Sequence, residues 1–198
     1  MFLLDGSKQP YGLAGLHMVG GGMPTGAITL YVGSQKPDRY GRQLVHAYQD
    51  DVWVQGALLN TGKALVYGLG LRDECLTAFH GAEKVAVGAK AGVWAGQELP
   101  IAADNLELLS EKVGHFTIIE GKVISVGDRS RRLYLNFGQK WSQDFTISVA
   151  KKGKGRYKGD VNRLKVSKNK TVQVRGILEE RQGPLIRLFD EAQIIIMD

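Results

Sequence analysis

A change of hydrophobic period near residue 115 restricts the fold of this chain more than any other feature. Upstream, Arg72 to Ala91 has few breakers and places Leu76, Phe79, Ala82, Val85 and Ala89 near one face, the pattern of a core-facing helix. Downstream the period is that of strands. Leu133, Leu135 and Phe137 alternate with Arg132, Tyr134 and Asn136, and Phe145, Ile147 and Val149 repeat the pattern. Phe116 to Val126 alternates less evenly and stops at Gly127-Asp128. Thr171 to Leu178 and Leu185 to Met197 complete a set of five strands, the last two joined by Arg181-Gln182-Gly183-Pro184.

Between the third and fourth of these strands, Lys151 to Lys168 is basic and rich in breakers, with a short helix predicted around Val161 to Leu164. Five strands with one insertion at that point is the order of an OB-type barrel. Leu106, Leu108 and Leu109, in the connector ahead of it, are apolar enough to dock.

Charge divides in the same way. The net charge is +6, but residues 1–115 hold 9 Lys+Arg against 11 Asp+Glu (−2) and residues 116–198 hold 17 against 9 (+8). Such asymmetry points to a polyanionic partner for the second half, or to a basic surface kept for solubility. Arg129, Arg131 and Arg132 flank the first hairpin of the predicted barrel. Tyr134, Trp141 and Phe145 lie on or beside its second and third strands, and Lys151, Lys152, Lys154, Arg156 and Lys158 follow the third. Cations that track a phosphate backbone beside aromatic platforms suit sequence-tolerant single-strand binding. Strand parity assigns Phe137 and Phe145 to the core and leaves Tyr134 as the stacking candidate; Trp141, in a turn, fits either role.

Cys75 is the one cysteine, so an internal disulfide and a cysteine zinc site are both excluded; it reads as a small buried hydrophobe. No apolar run reaches the roughly 20 residues that cross a bilayer. Met1 to Gly6 has neither the basic region nor the long apolar core of a signal peptide, and as written the chain reads as cytoplasmic.

The first half is most informative at Asp38-Arg39-Tyr40-Gly41-Arg42, between strand-like Ala27 to Val32 and Gln43 to Tyr48. Gly33, Pro37 and Gly41 punctuate the connection as a tight reversal requires, and two arginines with a tyrosine make a compact cationic tip. A short amphipathic helix from Val52 to Asn60 ends at Gly62, and a short strand follows from Ala64 to Tyr67. Gly81 and Gly88 read as points of close approach on the longer helix, with Trp94 capping its packing.

In order, the D-x-Y-G-R-x-L turn, the helix ending Asn60-Thr61-Gly62-Lys63-Ala64 and the helix closing on Gly92-Val93-Trp94 resemble the thermonuclease (staphylococcal-nuclease-like) family over roughly residues 1–96. The second half is similar to the OB-like domain appended to some bacterial members, in Gly121-Lys122-Val123, Tyr134 to Gly138, Trp141, Asp144-Phe145 and Val174-Arg175-Gly176. The resemblance implies a mostly β, α+β chain of two small OB-type barrels, the first with two to three helices. Its domains are 1–96 and 116–198, with 97–115 a linker. Family members are often secreted or periplasmic.

The resemblance also implies a calcium-dependent phosphodiesterase site, from which this chain departs. The family strand R-L-x-G-[IV]-D-x-P-E supplies an arginine, a metal-holding aspartate and a glutamate that acts on water, as a hard cation and a dianionic transition state require. Aligned on Leu13-Ala14-Gly15-Leu16, those positions hold Gly12, His17 and Gly20. The upstream D-G-D-T turn has no counterpart, because Asp5 lies too close to Leu13, and the lost first strand leaves a barrel edge open. Arg42 alone matches a catalytic position, as a phosphate contact or as a brace for its own turn. Arg39 and Tyr40 match the nucleotide-phosphate pocket, and His17 reads as a loop residue rather than a replacement base.

No metal site or cofactor is expected; calcium enters only if the start is misassigned. The expected function is a nuclease-family protein without an intact catalytic site that binds single-stranded nucleic acid through basic OB-type surfaces. The alternatives are the calcium-dependent nuclease itself and a protein-interaction scaffold with unknown partners.

Overall fold

The computed structural model describes residues 8–20, 22, 25–33, 37–38, 40–69, 71–96, 98–140 and 142–197. Met1 to Ser7, Arg39 and Trp141 therefore lie outside the described residues. The chain is mixed α+β with barrel-like sheet, and it divides into two compact units after Gln97.

The first unit contains β1 (Tyr11–Leu13), β2 (Leu16–Met18), β3 (Thr29–Val32), β4 (Gln43–Gln49), β5 (Val52–Trp53), α1 (Val54–Asn60), β6 (Ala64–Val66) and α2 (Asp73–Ala89). Central β4 pairs parallel with β1 and antiparallel with β3 and β5, while β2 and β6 make a separate antiparallel pair. Val52 and Trp53, expected to open a helix, instead return along β4, because Asp50 and Asp51 at φ 46° and 64° form a two-residue reversal. Ala47, Val54, Leu59, Val66 and Phe79 close the core. Gln55 ties α1 to β4 from within it: its amide donates to the Val45 carbonyl at 3.0 Å and accepts from the Ala47 N–H at 3.1 Å.

The buried face of α2 differs in phase from the predicted stripe. Phe79 and Ala86 are buried, but Val85 is 56% exposed. Glu83 takes a core position in its place, because its Oε1 accepts the Val66 N–H at 2.8 Å and a buried backbone donor needs a partner. A Cβ at Gly81 or Gly88 would meet nothing within 4 Å, so neither is a point of close approach. That role falls to Gly62 and Gly92. Both hold positive φ (65° and 57°), the Val93 N–H donates to the Gly62 carbonyl at 3.0 Å, and a Cβ on either would run into the other's chain.

The second unit contains β7 (Ile101–Ala102), α3 (Leu106–Glu111), β8 (Phe116–Lys122), β9 (Ser125–Asp128), β10 (Arg132–Asn136), β11 (Thr146–Ala150), α4 (Val161–Lys165), β12 (Thr171–Glu180), β13 (Pro184–Leu188) and β14 (Ile194–Met197). The stretch read as a linker packs here from residue 98 onward. β7 pairs with β8, and Ile101, Ala103 and Leu109 are buried in this unit's core.

The strands run in the order β7-β8-β12-β13-β11-β10-β9, with β14 also on β12. β8 and β9 are one run of chain broken at Val123-Ile124, yet they pair toward opposite ends of that order, so the sheet curls round on itself. Apart from the short parallel β7–β8 pair at the edge, β11 and β13 are parallel and the other pairs of the curl antiparallel, which is OB-type connectivity. Leu133, Leu135, Ile147 and Val149 point into the curl and are fully buried, worth about 1.5–3 kcal/mol each. α4, capped by the Asp160 side chain on the Asn162 N–H, adds Leu164 to the same core. The predicted Leu185 to Met197 strand is two strands, because Asp190 and Gln193 form a capping box around a tight helical turn.

Candidate nucleic-acid interface

The side chains of β9, β10 and β11 that alternate with the core residues form the floor of a groove of about 510 Å³. Strand register sets them in rungs. Ser125, Asn136 and Thr146 make one, with the Asn136 amide donating to Ser125 Oγ at 3.0 Å. Gly127, Tyr134 and Ser148 make the next, where the missing Cβ of Gly127 leaves space beside the Tyr134 ring. Arg129 and Arg132 stand at one end of the groove, Arg132 also donating to Ser148 Oγ at 3.2 Å. Because Thr146 is in register with Leu185, the turn Arg181-Gln182-Gly183 stands at the other end, beside Gly138 and Gln139. A half-buried tyrosine between two arginine-bearing turns can take a base on its face and phosphates at both ends.

Of the residues predicted from sequence, the structure brings Arg129, Arg132 and Tyr134 together here. Arg131 is exposed on the same turn but does not line the groove. Lys152, Lys154 and Arg156 are exposed on the following loop, also off the groove. Lys151 is committed elsewhere: with Lys165 (3.0 Å) it pairs with Asp128, and hydrogen bonds from these two lysines hold the Asp128 carboxyl below its usual pKa. Phe137 and Phe145 are core, as parity predicts, with rings 5.0 Å apart.

Sequence reasoning missed Asn136, Thr146, Ser148 and Arg181. The first three were accessible from strand parity, since each alternates with a core position. Arg181 carried only a turn signal, and its nearness to β10 follows from the parallel β11–β13 pairing.

In the first unit, the turn at 38–42 folds on its own acid. Asp38 accepts the backbone N–H groups of Tyr40 and Arg42, both at 2.9 Å, and the Arg42 guanidinium at 2.8 Å (Nε) and 2.6 Å (Nη2). Burial works against its ionisation, but the Arg42 side chain and these backbone donors outweigh burial and lower its pKa. Arg42 also lies over the Tyr40 ring, 5.1 Å from its centre. A Cβ on Gly12 would stand 3.5 Å from Arg42 Nε, so β1 passes beside the Arg42 side chain.

His17 is on β2, with its pKa lowered by burial. Among the described residues no three of His, Cys, Asp and Glu converge as a metal-binding group, and Cys75 is half-buried. No described helix is long and apolar enough to cross a membrane.

No protein-family model matches the chain, and no curated protein matches it.

Proposed function

We propose that the second unit binds single-stranded nucleic acid in the groove across β9, β10 and β11, and that the first unit is a thermonuclease-like scaffold lacking the means for phosphodiester cleavage. The observation that carries the reading is the placement of Tyr134 on the groove floor between Arg132 at one end and Arg181 at the other. A stacking surface with cations on either side selects a flexible polyanion whose bases are unpaired. The net positive charge of residues 116–198 favours the same class of ligand. For the first unit, support comes from Arg42 being held by Asp38, and from Gly12, His17 and Gly20 standing where the resemblance calls for arginine, aspartate and glutamate.

Fluorescence anisotropy of a labelled single-stranded oligonucleotide tests this, followed over time with calcium or with chelator. Anisotropy is expected to rise in both conditions and to collapse with salt. Tyr134→Ala should weaken binding by about 1–3 kcal/mol, the worth of one stacked base, and Tyr134→Phe should retain it. A calcium-dependent fall below the value of the intact oligonucleotide would establish a working nuclease instead. No rise under any condition would favour the scaffold alternative.

A further inference from the structure

The two ends of the groove differ in charge. At the Arg181 end the carboxylates are close by. Glu179 pairs with Arg187 at 2.8 Å and approaches Arg181 at 4.0 Å, Glu180 accepts the Gly183 N–H at 3.0 Å, and Asp144 accepts the Lys140 N–H at 2.6 Å. At the Arg132 end the carboxylate of the adjoining strand, Asp128, is already shared by Lys151 and Lys165, and Asp160, Asp190 and Glu191 stand further along, around Tyr157.

The loop that follows β11 starts at this second end, because Ala150 is in register with Arg132 and the Lys151 N–H donates to the Arg131 carbonyl at 3.0 Å. It is also anchored. Tyr157 is 4% exposed, with its N–H donating to Ala150 at 2.9 Å, and Lys158 bridges to Asp190. Between these fixed points Lys152, Lys154 and Arg156 face solvent, separated by Gly153 and Gly155 at φ 84° and 79°.

We infer that the bound strand leaves the groove on one side only, past Arg132, and that its backbone phosphates continue onto Lys152, Lys154 and Arg156. This rests on the nucleic-acid reading of the groove. It adds that the full site is longer than the groove, that it has a direction, and that its second part holds phosphates without reading bases. Cations on a loop pinned at both ends lose less freedom on binding than cations on a free one. A strand leaving by the Arg181 end would meet Glu179, Glu180 and Asp144 directly beside the groove, before any run of exposed cations.

The test uses a labelled pentathymidylate carrying five abasic sugar-phosphates on its 5′ side, on its 3′ side, or on neither. The abasic tail fixes which end of the strand is extended, since only the thymidines can stack. One tailed probe is expected to bind about tenfold more tightly than the bare pentamer at low salt, and the other about as the pentamer does. In the Lys152→Ala, Lys154→Ala, Arg156→Ala variant the pentamer should bind as to the wild type. The favoured tailed probe should lose its gain, and its log–log salt slope should fall by about 2, from three lost contacts at roughly 0.7 each. Equal gains from both tails, or a gain that survives in the variant, would overturn the inference. A pentamer that binds while neither tail helps leaves the groove reading intact and removes only its extension. If none of the three probes binds, both fall.

Discussion

Gly62 and Gly92 meet backbone to backbone, with the Val93 N–H donating to the Gly62 carbonyl at 3.0 Å. Each is at positive φ, and a Cβ on Gly92 would stand 2.5 Å from the carbonyl oxygens of both Thr61 and Gly62. Gly92→Ala combines strained backbone with a clash against a partner that cannot swing aside. It should cost about 3 kcal/mol or more, read as a lower urea midpoint. Gly81→Ala, in open space on α2, should stabilise by about 0.5–1 kcal/mol in the same assay. A neutral Gly92→Ala would contradict the contact.

Asp38 organises its turn through two hydrogen bonds from backbone N–H groups and a hydrogen-bonded ion pair with Arg42. Asp38→Ala should cost about 1–3 kcal/mol. Arg42→Ala should cost less, since Asp38 keeps its backbone donors. The double variant should be less destabilised than the sum of the two, because both remove one interaction. The folded-state pKa of Asp38 lies below its unfolded value, so this contribution is complete at neutral pH and is lost as pH falls below about 4.

His17 and His46 both have pKa values lowered by burial. Below about pH 6.5 the unfolded chain therefore takes up protons that the folded chain does not, and stability falls with pH. Thermal midpoints should be level above pH 7 and decline from about 6.5 downward. A His17→Gln, His46→Gln variant should flatten that decline. A stability that rises on acidification through this range would contradict the lowered pKa values of these half-buried rings.

Asp128 is the carboxylate at the arginine end of the groove, and it engages Lys151 and Lys165. Asp128→Asn removes its charge and leaves two ammonium groups for phosphate. Oligonucleotide affinity at low salt should rise, and the salt slope should steepen by about 0.7–1.4, one or two added contacts. An unchanged slope would show that the lysines do not reach the ligand.

Much of the second unit was legible because strand parity is a local property. Leu133, Leu135, Ile147 and Val149 reached the core and Tyr134 reached the other face as alternation requires. What escaped was set by partners distant in sequence. Val85 lost its place to Glu83 because the Val66 N–H needed an acceptor. The break between β13 and β14 is hidden inside an apolar run and comes from a polar capping box. Residues 98–115 looked like a connector because β7 is two residues long and finds its place only against β8. In the groove, Arg129, Arg132 and Tyr134 were legible from composition around one hairpin. Arg181 was not, since about fifty residues separate it from Arg132 and only the sheet joins them.

The split of one run into β8 and β9 also has a bearing on synthesis. β9 finds β10 within a few residues, but the long antiparallel partner of β8 is β12, which ends at Glu180. A ribosome therefore releases β8 with that edge bare and must deliver more than fifty further residues before it is covered. The first unit, whose described strands and helices all lie before residue 95, has no such wait. Cotranslational maturation should accordingly be sequential, with the second unit closing late and in one step, and with the nascent β8 edge as the segment most in need of chaperone cover.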